Sequence, residues 1–209
     1  MLRFSLLPLI VALAACDSSC ASKAPTPPDG AAAPQFVWPV PDGWRKETIP
    51  FPLDFAPDLP YRGLEEIRFA PEFFDPAAPA YFSYAFVWWL EGRPELDRSS
   101  LERDLARYFA GLCDAVGGKK FSFDPKRFKA MLSPGADRAA GARSFQGTID
   151  AYDPFEKGSG REITLNVELS TWDCAAAGRR VLLVKASPKP RSDTIWKDLA
   201  DSEGAFQCK

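Results

Sequence analysis

Histidine is missing from all 209 residues. Its absence excludes Ser-His-Asp and Cys-His nucleophile arrangements, His-ligated zinc and an imidazole pH switch. No Cys-x-x-Cys pair and no EF-hand pattern occur, and Asp150, Asp153 and Glu156 read as a polar hairpin loop rather than a calcium site. Gly117-Gly118-Lys119-Lys120 lacks the earlier glycine and the following Ser or Thr that a phosphate-binding loop needs. An excess of one charge is missing too: 26 basic residues stand against 28 acidic ones. That balance argues against nucleic acid and against a polybasic membrane clamp. No cofactor, no metal and no catalytic residue is nominated.

The only sustained apolar run that looks like a targeting segment is at the start. Met1 to Ala15 carries Arg3, then Leu6, Leu7, Leu9, Ile10, Val11 and Leu13, then Ala14-Ala15 before Cys16. This is a secretory leader, too short to span a bilayer as a helix. Leu13-Ala14-Ala15-Cys16 resembles a bacterial lipobox, which implies that Cys16 becomes the acylated N-terminus. Each buried methylene of an acyl chain contributes about 0.8 kcal/mol, so several chains anchor firmly. Asp17 after the lipidated position hints at the inner membrane; outer-membrane placement stays open. Residues 16–35 are the lipidated cysteine and an Ala/Pro-rich tether with little to bury. Extended at about 3.1 Å per residue, Asp17 to Gln35 reach roughly 60 Å. The expected localisation is exported and lipid-anchored.

Residues 36–209 are expected to form one globular α+β domain. Its centre is Tyr81 to Leu90, read as a strand with Phe82, Tyr84, Phe86, Trp88 and Leu90 on a bulky face and small residues in the middle of the other. Phe51, Leu53 and Phe55 alternate among prolines like an edge strand. Leu64 to Ala70 is a further strand, with Glu65, Glu66 and Arg68 read as solvated. Leu101, Leu105, Tyr108, Phe109, Leu112, Cys113 and Val116 predict a helix over about 100–116, capped by Ser99 with Glu102, to cover the small face of the central strand. Between 121 and 134 a short Asp124-Pro125 helix start competes with alternation at Phe128, Ala130 and Leu132; the strand is preferred. Alternation then predicts strands near 145–151, 163–169 and 181–186, followed by a helix over about 193–202 capped by Ser192. Both helices are expected on one face of an antiparallel sheet.

Export permits disulfides. Beside Cys16 stand Cys20, Cys113, Cys174 and Cys208. Of their pairings Cys174 with Cys208 is preferred, since it would hold down the C-terminal tail. Cys113, on an apolar stripe, is expected to be an inert buried thiol.

The stretches Gly43 to Pro57 (GWRKETIPFPLDFAP), Tyr61 to Pro71 (YRGLEEIRFAP) and Tyr81 to Leu90 (YFSYAFVWWL) make the chain resemble an uncharacterised family of exported bacterial lipoproteins, a likeness that implies no activity. The order of elements is also similar to the PsbP/Mog1-like α/β/α sandwiches, which implies binding rather than catalysis.

The expected function is a non-catalytic, membrane-anchored envelope module that binds a protein partner. A binder of a glycan or an apolar metabolite is the alternative, using Trp44, Tyr84, Trp88 and Trp89 as ring faces. A third is a hydrolase working with paired carboxylates drawn from Asp42, Glu65, Glu66, Asp75 and Glu91, which would need a pair about 5 to 9 Å apart. Replacing Cys16 by Ser is expected to abolish palmitate incorporation and to move the protein from the membrane pellet to the soluble fraction. A variant that still pellets contradicts the lipobox.

Overall fold

In the computed structural model the described residues are 36–117, 121–136, 141–156 and 160–209. The leader 1–15, Cys16, Cys20, the tether and Gly118 to Lys120 lie outside them. Strands β1 (Phe36–Val37), β2 (Arg45–Phe51), β3 (Gly63–Phe69) and β4 (Tyr84–Glu91) precede helix α1 (Arg98–Gly117). Then come β5 (Lys129–Pro134), β6 (Arg143–Tyr152), β7 (Glu162–Cys174), β8 (Arg179–Ser187), helix α2 (Ile195–Gly204) and β9 (Gln207–Cys208). The main sheet has the order β2-β3-β4-β8-β7-β6-β5, with every pairing antiparallel. The fold is α+β, as the alternating segments predict.

The aromatic strand sits at the sheet's interior, but it begins at Tyr84. Phe82 adopts φ 51°, which takes Tyr81 and Phe82 out of the strand into a turn. Its two faces divide the core. Phe86, Trp88 and Leu90 join Leu101, Leu105 and Tyr108 of α1. Ala85, Val87 and Trp89 join Ile195, Trp196 and Leu199 of α2, with Phe36 and Trp38. The helices therefore lie on opposite faces, and α1 covers the bulky face rather than the small one. Tyr108 stacks on Phe86 at 5.2 Å and touches Trp88 at 5.8 Å. The small face takes the bulky Trp196, Phe36 and Trp38 instead, so large groups sit over small ones and the layer fills. Close approach to α1 is supplied by Gly111: a Cβ there would lie 1.8 Å from the Phe55 carbonyl oxygen.

Several local signals resolve differently from expectation. Asp97, not Ser99, caps α1: its Oδ1 accepts from the Ser100 amide at 2.7 Å and from the Ser99 hydroxyl at 2.8 Å. Glu102 reaches away from the helix start and accepts from the Leu132 amide at 2.8 Å, tying α1 to β5. Both readings of 121–134 hold in succession, a 3-10 turn at Pro125–Arg127 behind the Asp124 cap and then β5. At α2 the Ile195 amide bonds to Asp193, in place of a Ser192 cap. The edge strand ends at Phe51, and Leu53 enters a turn bridged to Ala56.

The solvated reading of β3 is overturned. Glu65, Glu66 and Arg68 are all buried. Arg68 lies on the α2 face, where it donates to Glu66 at 2.9 Å, to the carbonyls of Trp38 and Pro39, and stacks its guanidinium 4.4 Å over the Trp38 ring. It thereby fastens the N-terminal segment to the sheet. Lys185 of β8, also buried, sits between Glu168 at 2.7 Å and Glu203 of α2 at 2.8 Å.

A disulfide joins Cys174 to Cys208 with their Cα atoms 5.7 Å apart, 34 residues along the chain. It fixes β9, which pairs with β1 through Phe36 opposite Cys208. Replacing Cys208 by Ser is expected to lower the unfolding free energy by about 3 kcal/mol, read in a denaturant titration under oxidising conditions. An unchanged midpoint would mean that the bridge constrains nothing.

Candidate functional site

The predicted ring faces divide on burial. Tyr84, Trp88 and Trp89 are enclosed, so none offers a stacking surface to solvent. Burial under α1 and α2 removes them as exposed binding faces. Trp44 is half-buried in a cleft of about 630 Å³ with Asp42, Glu72, Asp198 and prolines 39, 41 and 71.

The nominated carboxylates are dispersed. Asp42 lies in the Trp44 cleft, Asp75 accepts from the Ala77 amide in a turn, and Glu91 pairs with Arg179 at 3.2 Å. Glu65 and Glu66 point to opposite faces of β3, Glu66 toward Arg68 and Glu65 toward α1.

A different arrangement emerges on the α1 side of the sheet: an apolar groove of about 520 Å³. Its floor is sheet, with Glu47 and Ile49 from β2, Ile67 and Phe69 from β3, and Tyr84 from β4. Tyr108, Leu112, Ala115 and Val116 of α1 form one wall. Phe73 and Phe74, with Pro154 and Phe155, form the other. Phe74, 47% exposed, is an apolar ring left facing water at the rim. A groove of this size lined mainly by apolar groups has the dimensions and chemistry of a small-molecule site, about 300 to 1,000 Å³.

The second wall is positioned by a buried carboxylate. Asp153 accepts the Tyr81 hydroxyl at 2.7 Å and the amides of Phe155 and Glu156 at 3.0 and 3.1 Å, and Arg161 approaches at 3.3 Å. The residue expected to be part of a wet loop is fully enclosed and shapes the loop around itself.

Beside the groove floor lies a carboxyl with no salt bridge among the described residues. Glu65 is completely buried and accepts from the Trp88 indole at 3.2 Å. The Tyr108 hydroxyl lies against this carboxyl and against the hydroxyl of buried Tyr84, so the three groups form one enclosed polar cluster. Burial raises the Glu65 pKa to about 8, opposed by the Tyr108 hydroxyl and the Trp88 indole and reinforced by Glu47. The carboxyl thus keeps its proton at neutral pH. On the helix, Cys113 is buried and free, its thiol pushed up to about 11 by burial, which suits an inert packing role.

Together these features describe an α+β domain with a helix layer on each sheet face and an apolar groove over a protonated carboxyl. No protein-family model and no curated protein matches the chain. Among solved structures it is similar to LpqN of Mycobacterium tuberculosis, described as involved in cell envelope biogenesis, at 15% identity over 86% of each chain with a TM-score of 0.31.

The Glu65 environment fixes a pH dependence. From pH 4.5 to about 8 the folded state holds a proton that the unfolded chain has released. Stability contributed by this group is therefore complete below 4.5 and falls as pH rises, by about 1.4 kcal/mol per unit within the window. Glu65→Gln is expected to flatten that slope, gaining on the native chain between about pH 5 and 8 in paired denaturant titrations. Parallel curves for the two proteins would show that Glu65 ionises freely in the fold.

Proposed function

We propose that this chain is an exported envelope lipoprotein whose folded part binds an apolar small molecule and does no chemistry on it. The groove between α1, the β2–β3 edge and the two aromatic loops carries this reading: Phe55, Phe73, Phe74 and Phe155 line it with Leu112 and Val116. Burying apolar surface contributes about 25 cal/mol per Å². A ligand covered by these rings can therefore bind without any charged contact. The lipobox supports the anchor, and the tether lets the domain stand off the bilayer.

A second reading, an envelope protein partner, is supported by Phe74, an exposed ring at the groove's rim. There an apolar side chain of the partner occupies the groove in place of a free ligand.

Ala115 offers the test because it is exposed at the groove wall and its Cβ marks the space a larger side chain would fill. An environment-sensitive apolar dye should bind the full-length Cys16→Ser chain, purified without detergent, and Ala115→Trp should weaken that binding at least about tenfold, a change of about 1.4 kcal/mol, with the fold intact by circular dichroism. Equal dye binding by the two chains would move the ligand out of this groove.

A further inference from the structure

On the α2 side of the sheet, the Trp44 cleft lies between two elements that are bonded to each other. Along α2 the lining residues Ile195, Asp198, Ser202 and Ala205 recur at three and four residue steps, so with the adjacent Asp201 they form one stripe of the helix. Opposite stands the turn from Pro41 to Trp44, closed by the Trp44 amide donating to the Pro41 carbonyl at 3.0 Å, with Gly43 at φ 76°. The Trp38 indole donates to the Ser202 carbonyl at 2.8 Å and holds this segment against the helix. Ile195 and Ser202 are the buried lining residues and make the floor. Ser202 is 2% exposed, and its hydroxyl has no hydrogen-bond partner among the described residues. A buried polar group in that state is uncommon, because its desolvation goes uncompensated.

The rest of the lining is acidic and aromatic. Asp42, Glu72, Asp198 and Asp201 contribute carboxylates, and among the described residues no lysine or arginine lines the cleft. Lys197, outside the lining, pairs with Asp201 at 2.5 Å and is influenced by Asp198, while Asp42 and Glu72 have no salt bridge among the described residues. Trp44 also differs from its two neighbours in this layer. An arginine lies over Trp38 at 4.4 Å and over Trp196 at 5.9 Å, whereas no cation of the described residues lies over Trp44. A cation is drawn to an aromatic face by the ring quadrupole, and carboxylates around it add Coulombic attraction. We propose that this cleft, a site separate from the apolar groove, binds a small alkylated ammonium ion that carries a hydroxyl. The ammonium sits against Trp44 among the carboxylates, and the hydroxyl bonds to Ser202 Oγ. Alkyl groups on the nitrogen fit a lining of four prolines and a tryptophan, which a bare metal ion, needing six or more oxygen ligands, would not use. The same carboxylates oppose a phosphate ester, so a free hydroxyalkylammonium is favoured over a lipid headgroup.

Calorimetric titration of the full-length Cys16→Ser chain compares choline with 3,3-dimethylbutan-1-ol, its uncharged isostere, with tetramethylammonium, which lacks the hydroxyl, and with phosphocholine and phosphatidylcholine vesicles. Choline is expected to bind saturably, at least about tenfold more tightly than the isostere, and more weakly as salt is raised. Trp44→Leu should weaken choline at least about tenfold, and Asp198→Asn, at an exposed position that leaves the fold unchanged, about threefold. Ser202→Ala should remove the advantage of choline over tetramethylammonium and leave tetramethylammonium as it was. Absence of saturable binding by either cation overturns the site, as does equal affinity for choline and its isostere or choline binding untouched by both Trp44→Leu and Asp198→Asn. An equal loss of both cations in Ser202→Ala overturns the hydroxyl assignment. Tighter binding of phosphocholine or of the vesicles than of choline overturns the free ligand in favour of a headgroup.

Discussion

A central strand covered on both faces is the constraint from which the rest follows. Seven of the eight residues of β4 are buried. Its neighbours β3 and β8 consequently have little wet surface, and any charge they carry must be answered inside the protein. An isolated buried ion costs several kcal/mol unless it is paired and hydrogen-bonded. Arg68 meets that demand through Glu66 and two carbonyls, and Lys185 through Glu168 and Glu203. Those bonds fasten the N-terminal segment and α2 to the sheet, so one layer is held by ion pairs as well as rings. Glu65 meets the demand differently. It has no salt bridge among the described residues, and burial leaves it protonated close to the groove.

Element type was legible wherever it depended on local pattern. Alternation in 163–169 and the three-and-four spacing of α1 both translate directly into β7 and the long helix. Burial was not legible where it depended on what covers a face. Glu66 and Arg68 look like a solvated strand face by their chemistry, and only the return of Trp38 and Pro39 over β3 makes that face interior. The choice of sheet face by α1 is non-local in the same way, since it turns on Gly111 meeting Phe55 and on α2 filling the opposite side.

The groove draws on chain positions from 47 to 155, and no window of sequence contains it. One signal within reach was strand parity. Glu65 shares the parity of Ile67 and Phe69, the apolar side of its strand, and a carboxylate there is a conflict between pattern and residue type that local reasoning can see. The ring candidates failed for the opposite reason: Trp88 and Trp89 are on the most enclosed strand of the sheet, and their size is used for packing.

The groove's walls are held by contacts that do not depend on one another. Phe82 holds a left-handed backbone, a conformation that costs a bulky residue about 1 to 3 kcal/mol. It is kept there by its amide bonding to the Phe73 carbonyl at 3.0 Å and by edge contacts with Phe73 and Phe155 at 5.5 and 4.9 Å. The adjacent Tyr81 hydroxyl binds Asp153, whose carboxylate also holds the amides of Phe155 and Glu156. Turn and loop therefore lock each other, and both present rings to the groove. The opposite wall, Leu112, Ala115 and Val116, belongs to a helix whose inner stripe is pinned by Tyr108 on Phe86. Both walls are ordered by the protein's own contacts, and a preordered surface loses little free energy to fixing side chains when it is covered. The groove's shape is thus fixed by the aromatic wall on one side and by the pinned helix on the other.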